Sequence, residues 1–164
     1  MANIFSNTCR ISERASVDIS SRGTDTIIGE NSVVDDFVRI KHVGGSGHVI
    51  IGDYCYINSG TVIYSGNGVR LGNDVLIGPN CSLVPANHAF HELNTPIRLQ
   101  GFAESKGGIV IENNVWIGAG VTVLDGAYIE EGCIIGANSL VMGRLTKDTI
   151  YGGVPAKILK KRAL

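Results

Sequence analysis

No stretch of the sequence approaches the roughly 20 consecutive apolar residues that a membrane span needs, so an integral membrane protein is not expected. Met1 to Arg22 mixes charged and apolar residues and has no hydrophobic run of the signal-peptide kind, which points to a cytoplasmic location. Charge of one sign is missing too. Fourteen Lys and Arg stand against 15 Asp and Glu, a formal net charge of −1, so neither nucleic acid nor an anionic membrane is an expected partner. The four cysteines (Cys9, Cys55, Cys81, Cys133) form no CxxC pair, which argues against a zinc ribbon or a redox motif. There are four histidines, His42, His48, His88 and His91, too sparsely placed for an evident metal site. What is plentiful is glycine, 22 residues without a low-complexity tract, among many Val and Ile. That combination suggests short strands joined by tight corners. A length of 164 residues fits one domain, 1–164, with enough chain to bury a core.

The dominant pattern is a repeat of six. Aliphatic residues recur at Ile111, Ile117, Val123, Ile129, Ile135 and Val141. A small or medium residue follows four places after each, at Val115, Val121, Ala127, Cys133, Ser139 and Leu145. The same register runs through Ile51, Ile57 and Ile63, through Leu71, Ile77 and Leu83, and more weakly through Ile28, Val34 and Ile40, with Ile11 and Val17 opening the series. A period of six matches neither an α-helix nor an alternating strand; it matches a short strand plus a corner. Three such units close one triangular coil, and coils stack at about the 4.8 Å strand spacing with equivalent aliphatic residues above one another. Cys55, Cys81 and Cys133 fall on small inward positions and read as buried packing thiols.

Breaks in the repeat mark places where function can be inserted. Ile63 to Leu71 holds two extra residues, around Ser65-Gly66-Asn67-Gly68. Ile40 to Ile51 is also long, and Gly44-Gly45-Ser46-Gly47 within it reads as a flexible corner. Leu83 to Ile111 holds 22 extra residues, so about 87–108 must leave the coil as a long loop, of a length often functional. The stack is expected to end near Ile150. Pro155 then suits the first turn of a short C-terminal helix within a cap over about 153–164, with Ile158 and Leu159 covering the open end.

Three segments carry a family resemblance. Asn113-Asn114-Val115-Trp116-Ile117-Gly118 resembles the NNVWIG segment of hexapeptide-repeat acyltransferases, Asn87-His88-Ala89-Phe90-His91 the segment with their catalytic histidine, and Gly153-Val154-Pro155-Ala156-Lys157 their closing GVPAK motif. The match runs from about residue 50 to the end, and the nearest groups are sugar O-acetyltransferases. The galactoside and maltose enzymes resemble each other in a helical N-terminal segment. This chain enters the repeat almost at once, which favours the group that decorates O-antigen and capsule. The resemblance implies an all-β fold, a left-handed parallel β-helix. Handedness does not follow from the period, since about 98% of parallel crossovers are right-handed. It also implies acetyl-CoA as acyl donor, no metal, and a homotrimer with sites between subunits.

O-acetylation requires a base for the acceptor hydroxyl and a donor for the oxyanion formed at the thioester. His88 stands where the coil breaks into the long loop, and by residue type, position and resemblance it is the expected general base. His91 and Tyr56 are candidate substrate contacts. Asn58 lies in Tyr56-Ile57-Asn58, which resembles the YxN stretch of the galactoside enzymes, where the asparagine meets the acceptor. By resemblance, the Ala119 N–H would meet the thioester oxygen. Trp116 would line the cofactor cleft or pack at the subunit interface; by resemblance, Ala137 and Met142 would contact CoA through the backbone, and Lys157 and Lys160 would bind phosphate. The family often has Thr-Lys where this chain has Met142-Gly143, and Arg144 could replace that cation. Glu92 is a possible partner for His88. Three other readings stay open: an antibiotic O-acetyltransferase, a γ-type carbonic anhydrase on the same fold, and a non-catalytic scaffold.

Overall fold

A computed structural model describes residues 3–163. Met1, Ala2 and Leu164, the ends of the expected single domain, lie outside the described residues. The chain winds as a parallel β-helix with three faces, of seven, eight and six strands. It passes from the seven-stranded to the eight-stranded to the six-stranded face and then starts the next coil. The winding begins at Ile4–Phe5, earlier than Ile11.

Inward residues stack in register. Ile51, Leu71 and Ile111 align on the first face, Ile57, Ile77, Ile117 and Ile135 on the second, and Ile63, Leu83, Val123 and Val141 on the third. Each is at most 2% exposed. Full burial of such a side chain contributes about 1.5–3 kcal/mol, so the ladder of aliphatic residues is what holds short strands that would not pair alone. The small inward positions help. The Cys55, Cys81 and Cys133 thiols donate to the carbonyls of Gly72, Gly118 and Thr146, each at 3.1 Å. Burial pushes all three thiols above their usual pKa, which fits packing rather than reactivity.

Leu145 departs from the expected register. It pairs with Ile129 as an inward residue of the seven-stranded face, because the corner at 142–143 is two residues shorter than the period requires. The C-terminal segment is also corrected. No helix starts at Pro155; residues 153–156 turn, and Lys157–Lys161 is a strand antiparallel to Thr149–Gly152. The last parallel strand leaves unpaired backbone groups, and folding back satisfies them. Ile158 and Leu159 remain 60% and 64% exposed and do not cover the open end. Tyr151 fills the last inward position at 5% exposure, and its hydroxyl accepts from the Thr146 N–H at 2.8 Å.

The irregularity gathers on one edge. Between the eight- and six-stranded faces every corner has four residues: 12–15, 35–38, 58–61, 78–81, 118–121 and 136–139. Between the six- and seven-stranded faces the corners are 18–25, 42–48, 65–68, 85–108, 125–127 and 142–143. All insertions therefore share the second edge, and the long loop emerges there.

Candidate active site

The loop over 85–108 carries one short 3-10 turn, Ile97–Leu99, and its two limbs are tied near its base. Ala89 N–H donates to the Gly101 carbonyl at 3.1 Å and Ala103 N–H to the Asn87 carbonyl at 2.7 Å, so His88 faces Phe102 as an antiparallel bridge. The His88 Nδ1 lies 3.3 Å from the Gly101 carbonyl oxygen. A carbonyl only accepts, so this contact assigns the proton to Nδ1 and leaves the Nε2 lone pair free. The ring stacks on Phe102, with centroids 5.0 Å apart at 24°. Phe102 in turn lies on Gly44, where a Cβ would come 3.0 Å from its Cε1 and the backbone φ is +75°. Gly44 is thus required by both conformation and contact. The glycine-rich corner is packed, with Gly45 against Gly66 and Gly47 against Gly68. The corner expected to be flexible is thus closely packed against its neighbour in the next coil.

His88 lines a cavity of about 890 Å³ on the insertion edge, together with Asn87, His91, Lys106, Asp125 and Met142. His91 packs its ring on Phe90 at 4.6 Å. Glu92 is not the partner of His88. Its carboxylate accepts from the Thr95 hydroxyl at 3.0 Å, and its backbone is bound to Gln100, the hub of the loop tip. Sequence reading missed Asp125, a 5% exposed carboxylate in the tight 125–127 corner; a lone aspartate at a turn carries no signal.

The other expected site residues lie elsewhere on the same chain. Asn58, Ala119 and Ala137 occupy the regular edge between the eight- and six-stranded faces. Ala119 and Ala137 hold equivalent places one coil apart, and neither N–H has a partner among the described residues. One coil earlier the same place is Pro79, which has no N–H. Asn58 Oδ1 accepts from the Ser59 N–H at 3.1 Å. Tyr56 and Trp116 project from the eight-stranded face on either side of Leu76, and the three are 36%, 54% and 51% exposed. Lys157 and Lys160 are exposed on the closing strand at the rim of that face. One chain therefore brings Met142 and His91 to His88, and does not bring Asn58, Tyr56, Trp116, Ala119 or Ala137 there.

Arg144 is not a free cation. Its guanidinium pairs with Glu130 at 2.6 Å and stacks over Tyr128 at 4.6 Å. No cluster of three metal-ligating side chains occurs among the described residues. The His42 ring is held between the hydroxyls of Thr24, at 2.7 Å, and Thr26, at 3.0 Å, and desolvation lowers its pKa.

Residues 108–143 match the model of the bacterial transferase hexapeptide (six repeats). Over 98% of the chain, the sequence is 31% identical to the Escherichia coli K12 protein named as the lipopolysaccharide biosynthesis O-acetyl transferase WbbJ, of which it covers 83%. It is 33% identical to the Escherichia coli galactoside O-acetyltransferase across 82% of the chain and 63% of that relative's length. Among solved structures, a mutant of AntD of Bacillus cereus, an N-acyltransferase, in complex with dTDP-4-amino-4,6-dideoxyglucose and coenzyme A, superposes with a TM-score of 0.81 at 26% identity, covering 99% of this chain and 84% of that one. The chain belongs to the hexapeptide-repeat acetyltransferase family, with its left-handed parallel β-helix fold.

Proposed function

We propose that the chain transfers the acetyl group of acetyl-CoA to a hydroxyl of a sugar unit in a surface polysaccharide, with His88 as general base. The observation that carries this reading is the His88 ring itself. Its Nδ1–H is committed to the Gly101 carbonyl, its face is fixed by Phe102, and its edge stands in the wall of a roomy cavity. Such a ring presents Nε2 toward the acceptor as the proton-accepting nitrogen. His88 Nε2 takes the acceptor hydroxyl's proton as the oxygen attacks the thioester carbon. The Ala119 N–H, which has no partner among the described residues, donates to the oxyanion that forms. When the C–S bond breaks, the imidazolium returns its proton to the CoA thiolate. No acyl-enzyme is needed.

His88 and Ala119 occupy different edges of one prism, so the reading requires a second copy. A head-to-tail contact that closes as a trimer sets the insertion edge of one copy against the regular edge of the next. The apolar ladder Tyr56, Leu76 and Trp116 supports such a contact, since contiguous exposed apolar residues mark interaction surfaces. In this arrangement Ala119 and Ala137 offer successive N–H donors to the acyl donor, beginning where Pro79 offers none, with Asn58 and Tyr56 toward the acceptor. Trp116 and Met142 line the cleft, and Lys157 and Lys160 bind phosphate as point charges. No helix among the described residues is long and apolar enough to cross a membrane, and we place the reaction in the cytoplasm, with acetyl-CoA.

The names of WbbJ and the galactoside enzyme support a sugar hydroxyl as acceptor. AntD, in complex with an aminosugar nucleotide, supports a second reading with an amine acceptor. Release of CoA thiol from acetyl-CoA, measured with hexosides, lipopolysaccharide fragments, nucleotide-linked aminosugars and macrolides, separates these. Release that depends on a hydroxyl sugar is the expected result. Release with the amine alone overturns O-acetylation, and release with none of them overturns the proposal.

A further inference from the structure

Asp125 lies in the cavity wall, 5% exposed, with no cation paired to it among the described residues. Its charge is met instead by three N–H donors. Oδ1 accepts from the Gly108 N–H at 2.9 Å; Oδ2 accepts from the Lys106 N–H at 2.9 Å and from Asn67 Nδ2 at 3.1 Å. Asn67 belongs to the corner with two extra residues, and its own N–H donates to the Pro85 carbonyl at 2.9 Å, where the loop departs. The two main irregularities of the repeat therefore meet at one carboxylate. Asn67 holds the departing limb, and Asp125 holds both Asn67 and the returning limb. A buried carboxylate is costly unless its lone pairs are satisfied, and an apolar residue would pack this corner without that cost. Lys106 packs its Cβ on Gly126 and enters the cavity wall beside Asp125.

We propose that Asp125 is a positioning residue: it latches the returning limb of the loop to the prism and so sets the wall of the acceptor cavity opposite His88. This rests on the acetyltransferase reading for its catalytic consequence, and not for the latch itself.

Asp125→Asn tests it. One oxygen remains for Gly108. The new NH2 replaces the oxygen that served Asn67 and Lys106. The Asn67 amide can turn to accept from it, but the Lys106 N–H cannot, so two donors face each other and this limb loosens. Trypsin cleavage after Lys106, compared with cleavage after Arg98 at the loop tip, reads the latch without any turnover. The expected rise at Lys106 is about ten- to a hundredfold, the loss of one bond to a charged group, with little change at Arg98. The acceptor KM should rise more than kcat falls, a split that a simple loss of folded protein would not give. Asn67→Ala, which leaves both backbone bonds in place, should move both readings the same way by less. Unchanged cleavage at Lys106 overturns the latch; increased cleavage with an unchanged acceptor KM overturns its role in the cavity. A wild-type chain that transfers acetyl to no acceptor overturns the acetyltransferase reading, while the cleavage ratio still decides the latch.

Discussion

Ala119→Pro removes one proposed donor and little else. The chain already carries Pro79 at the equivalent corner position one coil earlier, so the backbone there accepts proline without rearrangement. Ala119 N–H makes no bond within the described chain, so no structural hydrogen bond is lost. Loss of one oxyanion donor lowers kcat by about 10²–10³-fold, and the melting temperature should stay close to that of the wild type. The variant also tests how the site is assembled. His88→Ala and Ala119→Pro chains are each expected to form nearly inactive trimers. Co-expressed in equal amounts, they mix, and a site shared between neighbours is intact whenever an Ala119→Pro copy lends His88 to a His88→Ala copy that lends Ala119. Random mixing makes about one site in four intact, so activity near a quarter of wild type is expected from a closed head-to-tail ring. Mixed trimers as inactive as either parent would refute the shared site. An Ala119→Pro enzyme within a few-fold of wild type would refute the role of that N–H.

Gly44→Ala forces a Cβ into a left-handed backbone conformation and onto Phe102 at 3.0 Å. A cost of about 1–2 kcal/mol lowers the melting temperature by roughly 2–8 °C. Because Phe102 stacks on His88, kcat should fall although residue 44 lies outside the cavity; an unchanged kcat contradicts the stacking role. The Glu130 carboxyl is held below its usual pKa by the Lys147 N–H first and by Arg144 second. A depressed folded-state pKa contributes stability above the unfolded value, about 4.3, which is lost as pH falls through the folded value. Glu130→Gln should therefore melt below wild type at pH 7, with the gap closing below about pH 4. A gap that persists at low pH contradicts this assignment.

The core was legible because the period is itself a packing rule: a residue that recurs every six positions must face the axis of a triangular coil, and Ile111 through Val141 do. Leu145 escaped this logic because a corner two residues short shifts the register without changing residue types. The C-terminal helix failed for a different reason. Pro155 is compatible with a helix start, but an unpaired strand edge beside Lys157–Lys161 competes more strongly, and no local signal reports that edge. At the site, residue type, loop position and resemblance together marked His88. Asn58, Ala119 and Ala137 came from resemblance alone, since an alanine whose backbone matters has no side-chain signature. Gly101 and Phe102, which fix the imidazole, sit 13 and 14 residues from it. They become neighbours only when the two limbs of the loop pair. Asp125 and Asn67 are 58 residues apart in sequence and meet across the stacked coils.

The most direct test of the account is turnover by His88→Ala beside its affinity for CoA. Loss of a general base that touches the reacting hydroxyl should lower kcat by about 10²–10⁴-fold, with CoA binding unchanged because the proposed CoA donors lie on the other edge. A variant that keeps the wild-type rate with a good acceptor would contradict the assignment of the base, and with it the mechanism.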